Sequence, residues 1–331
     1  MSKKYDVYGI GNALVDLEFK VSDQFLYDHK VQKGLMTLVD EDTQFRLIGA
    51  IDHDDLDRKS GGSAANSIIA VSQFGGKSFY SCKVANDEYG DFYLTDMNDA
   101  GVDTNLDGVA REDGITGKCL VMITSDADRT MNTFLGATTN LSTKEINEAS
   151  IKDSQYIYLE GYLTTSETGV EAMKAGKKIA EDNGVKTAIT LSDPSIVQFF
   201  KEKFVEVIGA SVDLLFCNED EAMAFTGKDN LGDAREALKS EAKRFVITLG
   251  SNGAMIWDGD TFVDIEPYAV KAVDTNGAGD MFAGAFLYGI TNGMTYASAG
   301  KLASLASSKV VSQYGPRLKW HEVQAMLHDL K

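Results

Sequence analysis

Residues 274–280 read Asp-Thr-Asn-Gly-Ala-Gly-Asp and run directly into the apolar stretch Met281-Phe282-Ala283-Gly284-Ala285-Phe286-Leu287. Upstream, Tyr268-Ala269-Val270-Lys271-Ala272-Val273 is predicted as a short strand, so the glycines fall at a strand-to-helix turn. Unpaired N–H groups at a helix start, with the helix dipole behind them, make an anion site. Gly277 and Gly279 let the backbone approach a ligand that a side chain would push away. Asp280 then places a carboxylate inside the anion pocket. That arrangement is costly unless the carboxylate accepts a proton from a group attacking the anion, as in phosphoryl transfer to a hydroxyl. An Asp in a first helical turn is also ordinary capping chemistry, and glycines at tight turns are ordinary packing. The seven residues therefore gain weight from the company they keep.

Four further segments sit at strand ends where open α/β sheets bind ligands. Gly11-Asn12-Ala13-Leu14-Val15-Asp16 follows the strand-like Tyr5–Ile10, and Gly61-Gly62-Ser63-Ala64-Ala65-Asn66 leads into a helical pattern. Asn218-Glu219-Asp220-Glu221 follows strand-like 213–217, and Thr248-Leu249-Gly250-Ser251-Asn252-Gly253 follows strand-like 244–247. Asp16 and Asn66 are expected just past strand ends, where a carboxylate and an amide suit two vicinal hydroxyls of a sugar or ribose. Each also fits as a cap, Asp16 of a turn and Asn66 of a helix. Asn218 and Glu221 have the spacing of a first helical turn. Oxygen ligands there suit Mg²⁺ with retained waters, and a charged helix start is the other reading.

These five segments, in this order, resemble the signature elements of the ribokinase-like (PfkB) family of sugar and nucleoside kinases. The resemblance spans nearly the whole chain. It implies ATP as phosphoryl donor with Mg²⁺, Asp280 as the base, and Gly277, Ala278 and Gly279 as the anion hole. It assigns Asn12, Asp16, Gly61, Gly62 and Asn66 to the sugar or ribose. Asn218, Thr248, Gly250, Gly253 and Asn276 fall to the nucleotide, and Glu221 to the metal through water. A K⁺ site near Asp274 and Gly315-Pro316-Arg317 belongs to the same comparison. Asn276, the opening Gly11-Asn12-x-Leu14-x-Asp16, and Asp128-Arg129-Thr130-Met131-Asn132-Thr133-Phe134-Leu135-Gly136-Ala137 are similar to adenosine kinases. That similarity implies an Arg129 that meets the transferred phosphate on lid closure, with Leu14 and Met131 walling a purine. Arg129 as a solvated turn charge, and Leu14 and Met131 as plain lid core, are the other readings. The expected reaction is adenosine to AMP. The alternatives are a sugar kinase for ribose, fructose or 2-keto-3-deoxygluconate, and a catalytically silent binding protein.

Strand-like and helix-like runs alternate from 154–159 through a helix at 167–183, then strands at 186–191, 213–217 and 244–249, each with a helix after it. This predicts an α/β fold: a Rossmann-like, three-layer α/β/α parallel sheet in one domain over 1–331. Residues about 14–50 and 110–135 break the alternation with β-rich runs. They read as a second, smaller sheet, which the family resemblance makes a lid over the acceptor that excludes water.

The chain has 331 residues, 44% of them hydrophobic, and a net charge of −18, which disfavours nucleic acid as a partner. A small-molecule substrate and a monomer or lid-mediated homodimer are expected. Cys82, Cys119 and Cys217 lie far apart in apolar contexts and read as reduced core thiols of a cytoplasmic protein. His29, His53, His321 and His328 lack ligand spacing and read as surface residues. Met1–Tyr5 runs straight into a strand without a signal peptide, and no apolar run is long enough for a membrane span.

Overall fold

The computed structural model describes residues 3–51, 57–126 and 128–329. The chain enters through β1 (Tyr5–Ile10) and crosses at once to β2 (Leu14–Lys20). Helices α1 (Asp23–Asp28) and α2 (Glu41–Ala50) flank β3 (Met36–Leu38), and β4 (Asp57–Gly61) leads into α3 (Ser63–Gln73). Then follow β5 (Ser78–Ser81), α4 (Glu88–Asp99), β6 (Val102–Thr104), β7 (Thr116–Ile123) and β8 (Arg129–Gly136). The next stretch holds α5 (Glu148–Lys152), β9 (Ser154–Leu159), α6 (Glu167–Asp182), β10 (Lys186–Thr190) and α7 (Pro194–Ile208). After it come β11 (Leu214–Asn218), α8 (Glu219–Thr226), α9 (Leu231–Leu238) and β12 (Phe245–Thr248). The hairpin β13 (Ala254–Trp257) and β14 (Phe262–Ile265) precedes α10 (Ala278–Thr291), α11 (Tyr296–Val311) and α12 (Trp320–Asp329).

Two sheets result. The larger has the order β14-β13-β12-β11-β10-β9-β1-β5-β6, parallel from β12 to β6 and antiparallel at β13 and β14. Its inner strands are apolar on both sides because each face is covered. Val7 packs with α3, α10 and α11 on one face, and Tyr8 and Ile10 pack with α6 and α7 on the other. The smaller sheet runs β3-β8-β7-β2-β4. Alternation along β2 buries Val15, Leu17 and Phe19 with Leu26 of α1 and Leu47 of α2. Leu14, Asp16 and Glu18 therefore face the other way, beside Gly117, Cys119 and Val121 of β7.

Several expectations change. Residues 268–273 form no strand: β14 ends at Ile265, and Tyr268, Val270 and Val273 are exposed. This short, mostly apolar segment has no neighbouring strand to pair with; Val273 and Asp274 donate only to the Val311 carbonyl. No α-helix follows β12. Gly250 (φ 55) and Gly253 (φ 89) instead turn the chain back through a short 3₁₀ stretch into the antiparallel β13. Asp16 sits within β2 and Asn66 within α3, not beyond strand ends. The smaller sheet also recruits β4, which lies outside the expected 14–50 boundary. The three cysteines are free and buried, as expected. His321 is exposed, but His29 is half-buried with its ring 4.4 Å from that of Phe25. His53 and the His328 side chain lie outside the described residues. Among the described residues no helix is long and apolar enough to cross a membrane.

Candidate active site

Helix α10 starts at the anion loop. Gly277, its N-cap, is left-handed (φ 74), and a Cβ there would lie 2.3 Å from Pro316 Cβ, so only glycine fits. No side chain caps this end of the helix. Ala278 N–H donates to the Thr275 carbonyl at 3.3 Å, while the next amides, of Gly279 and Asp280, have no partner one turn back. Asp280 lies in this first turn, facing α3. Its Oδ1 accepts from Ser63 Oγ at 2.6 Å and its Oδ2 from Asn66 Nδ2 at 3.1 Å. The two helices meet closely because Gly284 has no side chain; a Cβ there would be 2.4 Å from the Ser67 carbonyl. Burial pushes Asp280 up to about 6, partly offset by the Ser63 and Asn66 hydrogen bonds. It is then ionised near neutrality and basic enough to take a proton.

Beside it lies a dense polar network. Glu160, fully buried at the end of β9, accepts from Asn12 N–H (3.1 Å), Asn12 Nδ2 (2.7 Å) and Ala64 N–H (2.8 Å). Tyr80 Oη donates to the Asn12 carbonyl at 2.8 Å, and Thr138 Oγ1 to Asn12 Oδ1 at 3.2 Å. Glu160 thus ties the β1–β2 crossover to the start of α3. Burial raises it to about 7 despite those donors. Asp16 stands on the smaller sheet against Gly61, whose absent Cβ would lie 2.5 Å from Asp16 Oδ2. Burial raises Asp16 to about 7, with Arg317 opposing and Glu18 adding to the rise. Gly62 (φ 111) is the N-cap of α3 and has no room for a side chain beneath the Asn12 carbonyl. Leu14 and Met131 sit on the same face of the smaller sheet as Asp16, by strand register.

On the other side of the loop, Asn218 and Glu221 close a reciprocal cap. Asn218 Oδ1 accepts from Glu221 N–H (2.8 Å), and Glu221 Oε2 accepts from Asn218 N–H (3.0 Å). Glu221 is buried, and that burial raises it to about 7. Thr248 ends β12 with its hydroxyl 3.5 Å from the Cys217 carbonyl. A Cβ at Gly250 or Gly279 would meet nothing within 4 Å, whereas one at Gly253 would strike the Ile265 carbonyl at 2.0 Å. Gly253 is therefore a turn residue held by packing. Asn276 N–H donates to Asp274 Oδ1 at 3.0 Å.

Arg129 does not reach Asp280. Its guanidinium pairs with Glu18 Oε1 at 2.5 Å and with Asp274 Oδ2, and its Nε is buried without a partner. Sequence reasoning missed Glu160, Ser63 and Glu18 as side chains of this centre, and placed Asp274 beside a cation rather than beside Arg129. Glu160 carried a usable signal, since it directly follows a recognised strand at the sheet's ligand-binding edge. The others had none short of the folded contacts.

The family model described as pfkB family carbohydrate kinase matches residues 35–322. A probable sugar kinase from Rhizobium etli superposes with a TM-score of 0.89 at 32% identity, covering 99% of this chain and 100% of that one. The adenosine kinase from Sinorhizobium meliloti also gives 0.89 and 32%, over 98% of this chain and 99% of that one. The adenosine kinase of Dictyostelium discoideum is 29% identical over 328 residues, covering 92% of this chain and 94% of its own. A sugar kinase and a nucleoside kinase thus stand equally near. With the family match extending over most of its length, this chain belongs to the pfkB carbohydrate kinases, which phosphorylate hydroxyl groups of sugars or nucleosides.

Proposed function

We propose that this kinase phosphorylates the primary hydroxyl of adenosine, using Mg-ATP. The observation that carries the nucleoside reading is space. A cavity of about 670 Å³ opens beside the smaller sheet, lined by Leu38, Val39, Phe134 and Leu135 together with the charged Glu41, Lys83, Glu112 and Asp113. Its residues Ala137 and Thr139 flank Thr138, which holds Asn12. A cavity of mixed lining adjoining the Asn12 network gives room for a base attached to a ribose, room that a free pentose or hexose does not need. The sugar-kinase reading keeps its support from the Rhizobium etli relative.

The residues present fit Mg-ATP. The uncapped start of α10 and the open space at Gly279 and Gly250 leave room for phosphates and a nucleoside against backbone. Glu221, already engaged with Asn218, suits a metal held through water. When bound, Mg²⁺ neutralises charge on the β- and γ-phosphates. The rest falls to the chain. Asp280 takes the proton of the acceptor hydroxyl while Ser63 and Asn66 hold its carboxylate in place. Amides of Gly277 and Gly279 stabilise the anion, joined by that of Ala278 once it leaves the Thr275 carbonyl, with Asn276 and Thr248 alongside the nucleotide. Asn12, Asp16, Gly61, Gly62 and Asn66 orient the ribose, and Leu14 and Met131 shield the base. Transfer is direct and in line, with no phospho-enzyme.

The test is ADP release with Mg-ATP across adenosine, inosine, cytidine, ribose, fructose and 2-keto-3-deoxygluconate. Adenosine alone should turn over strongly; turnover of a free sugar instead would discard the nucleoside assignment. Asp280→Asn should lower kcat by about 10³-fold with acceptor affinity retained. Unchanged turnover would remove Asp280 as the base.

A further inference from the structure

Both oxygens of the carboxylate that opens the anion loop have partners. Asp274 Oδ1 accepts from Asn276 N–H at 3.0 Å, and Oδ2 accepts from Gly315 N–H at 2.9 Å and from the Arg129 guanidinium. The nearby Val311 carbonyl accepts from two amides, Val273 at 2.8 Å and Asp274 at 3.2 Å. A monovalent cation beside Asp274 would have to share a carboxylate that already accepts from a guanidinium and two amides. Charge tells the same story. Arg129 faces both Asp274 and Glu18, Lys59 Nζ lies 3.5 Å from Glu18 Oε2, and Asp16 stands on the same face of the sheet. The pairs are secluded, with 9% of the Arg129 side chain exposed and 5% of Asp274. An added K⁺ at Asp274 would stand against the secluded Arg129 guanidinium. The residues present do not fit the K⁺ that the family resemblance implied.

We propose that Arg129 is a positioning residue that acts as the built-in cation of the anion loop, through Asp274, and that the enzyme needs no exchangeable monovalent cation. Arg129 and Glu18 belong to the smaller sheet, whereas Asp274 begins the loop that ends at Asp280. One guanidinium therefore sets both the seat of the lid and the shape of the loop. The inference rests on the phosphoryl-transfer reading but not on which acceptor is used. It differs from a role in touching the transferred phosphate, for which Arg129 would have to leave both carboxylates.

The experiment has two arms. Hydrogen exchange of the ligand-free protein is followed on peptides covering 274–281 in wild type, Arg129→Ala and Arg129→Lys. Initial rates of the wild type are compared at equal ionic strength in KCl, NaCl and tetramethylammonium chloride. Arg129→Ala should speed exchange of the loop amides by about tenfold or more, with Arg129→Lys recovering most of the protection. Wild-type rates should agree within about twofold across the three salts. Unchanged loop exchange in Arg129→Ala overturns the proposal, as does a severalfold rise in wild-type rate with K⁺ over tetramethylammonium. If Arg129→Ala fails to fold, Glu18→Gln keeps the shape and removes one charge of the cluster. It should still speed loop exchange, and no change would again overturn the idea. The exchange arm needs no substrate, so absence of ADP formation with every acceptor would sink the kinase reading alone.

Discussion

On the wall proposed for the acceptor, a Cβ added at Gly11 would lie 2.4 Å from the Glu160 carboxylate, and one at Gly61 2.5 Å from that of Asp16. On the wall proposed for the nucleotide, a Cβ at Gly250 or Gly279 would meet nothing within 4 Å. The same residue type thus serves two purposes. Glycines of the acceptor wall let protein pack on protein and fix a network already bonded to itself. Gly250 and Gly279 of the nucleotide wall leave open space, whereas Gly253 and Gly277 beside them pack on protein. The proposed acceptor wall is bonded to itself, and the proposed nucleotide wall keeps two open positions.

Substitutions can break this contrast. Gly62→Ala should cost the most, about 3 kcal/mol, because φ 111 is strained for any side chain and the Cβ would sit 2.3 Å from the Asn12 carbonyl. A calorimetric Tm equal to wild type would show that this wall is not tightly packed. Glu160→Gln should cost about 2 kcal/mol by turning an amide donor toward Ala64 N–H, again read as Tm. Gly279→Ala should leave Tm alone and raise the KM for ATP about tenfold, worth about 1.4 kcal/mol. A lowered Tm with unchanged KM would reverse the assignment of open space to the nucleotide.

The smallest effect is a matter of pH. With Asp280 near 6, kcat/KM should be level above neutrality and fall as pH drops through about 6, checked by a rate profile at saturating Mg-ATP. Stability runs the opposite way for this group. Its folded value lies above the ordinary 3.8, so its contribution is fully present below that pH and is lost as pH rises through about 6. Asp280→Asn should remove its share of that slope in Tm against pH. An unchanged slope would show that burial does not raise this carboxylate.

Legibility followed sequence distance. Asp280, Gly277 and the Asn218–Glu221 cap were readable because each works within one turn of its own helix. The parallel core was readable because its strands are buried on both faces and keep unbroken apolar runs. Residues 268–273 were misread because the segment is short, mostly apolar and rich in strand-forming residues, yet Tyr268, Val270 and Val273 are exposed, and composition cannot say what covers a side chain. The return into β13 was missed because Gly250 and Gly253 signal a turn without its direction. Glu160 on Asn12 and Arg129 on Asp274 join residues 148 and 145 positions apart, contacts that only the closed topology brings together.

The central ladder of the smaller sheet pairs Leu14–Lys20 with Gly117–Ile123 in parallel, about a hundred residues apart. Parallel partners cannot be joined by a hairpin. Between them the chain lays down α1, β3, α2 and β4 and then α3, β5, α4 and β6, of which β5 and β6 belong to the large sheet and α3 and α4 pack on it. Long loops must close before such pairs gain anything, so this sheet is expected to assemble late in folding, on a body already formed. It also follows that no single cut of the chain releases the smaller sheet as a module. Exchanging one contiguous segment between relatives would carry away some strands of this sheet and leave the others unpaired.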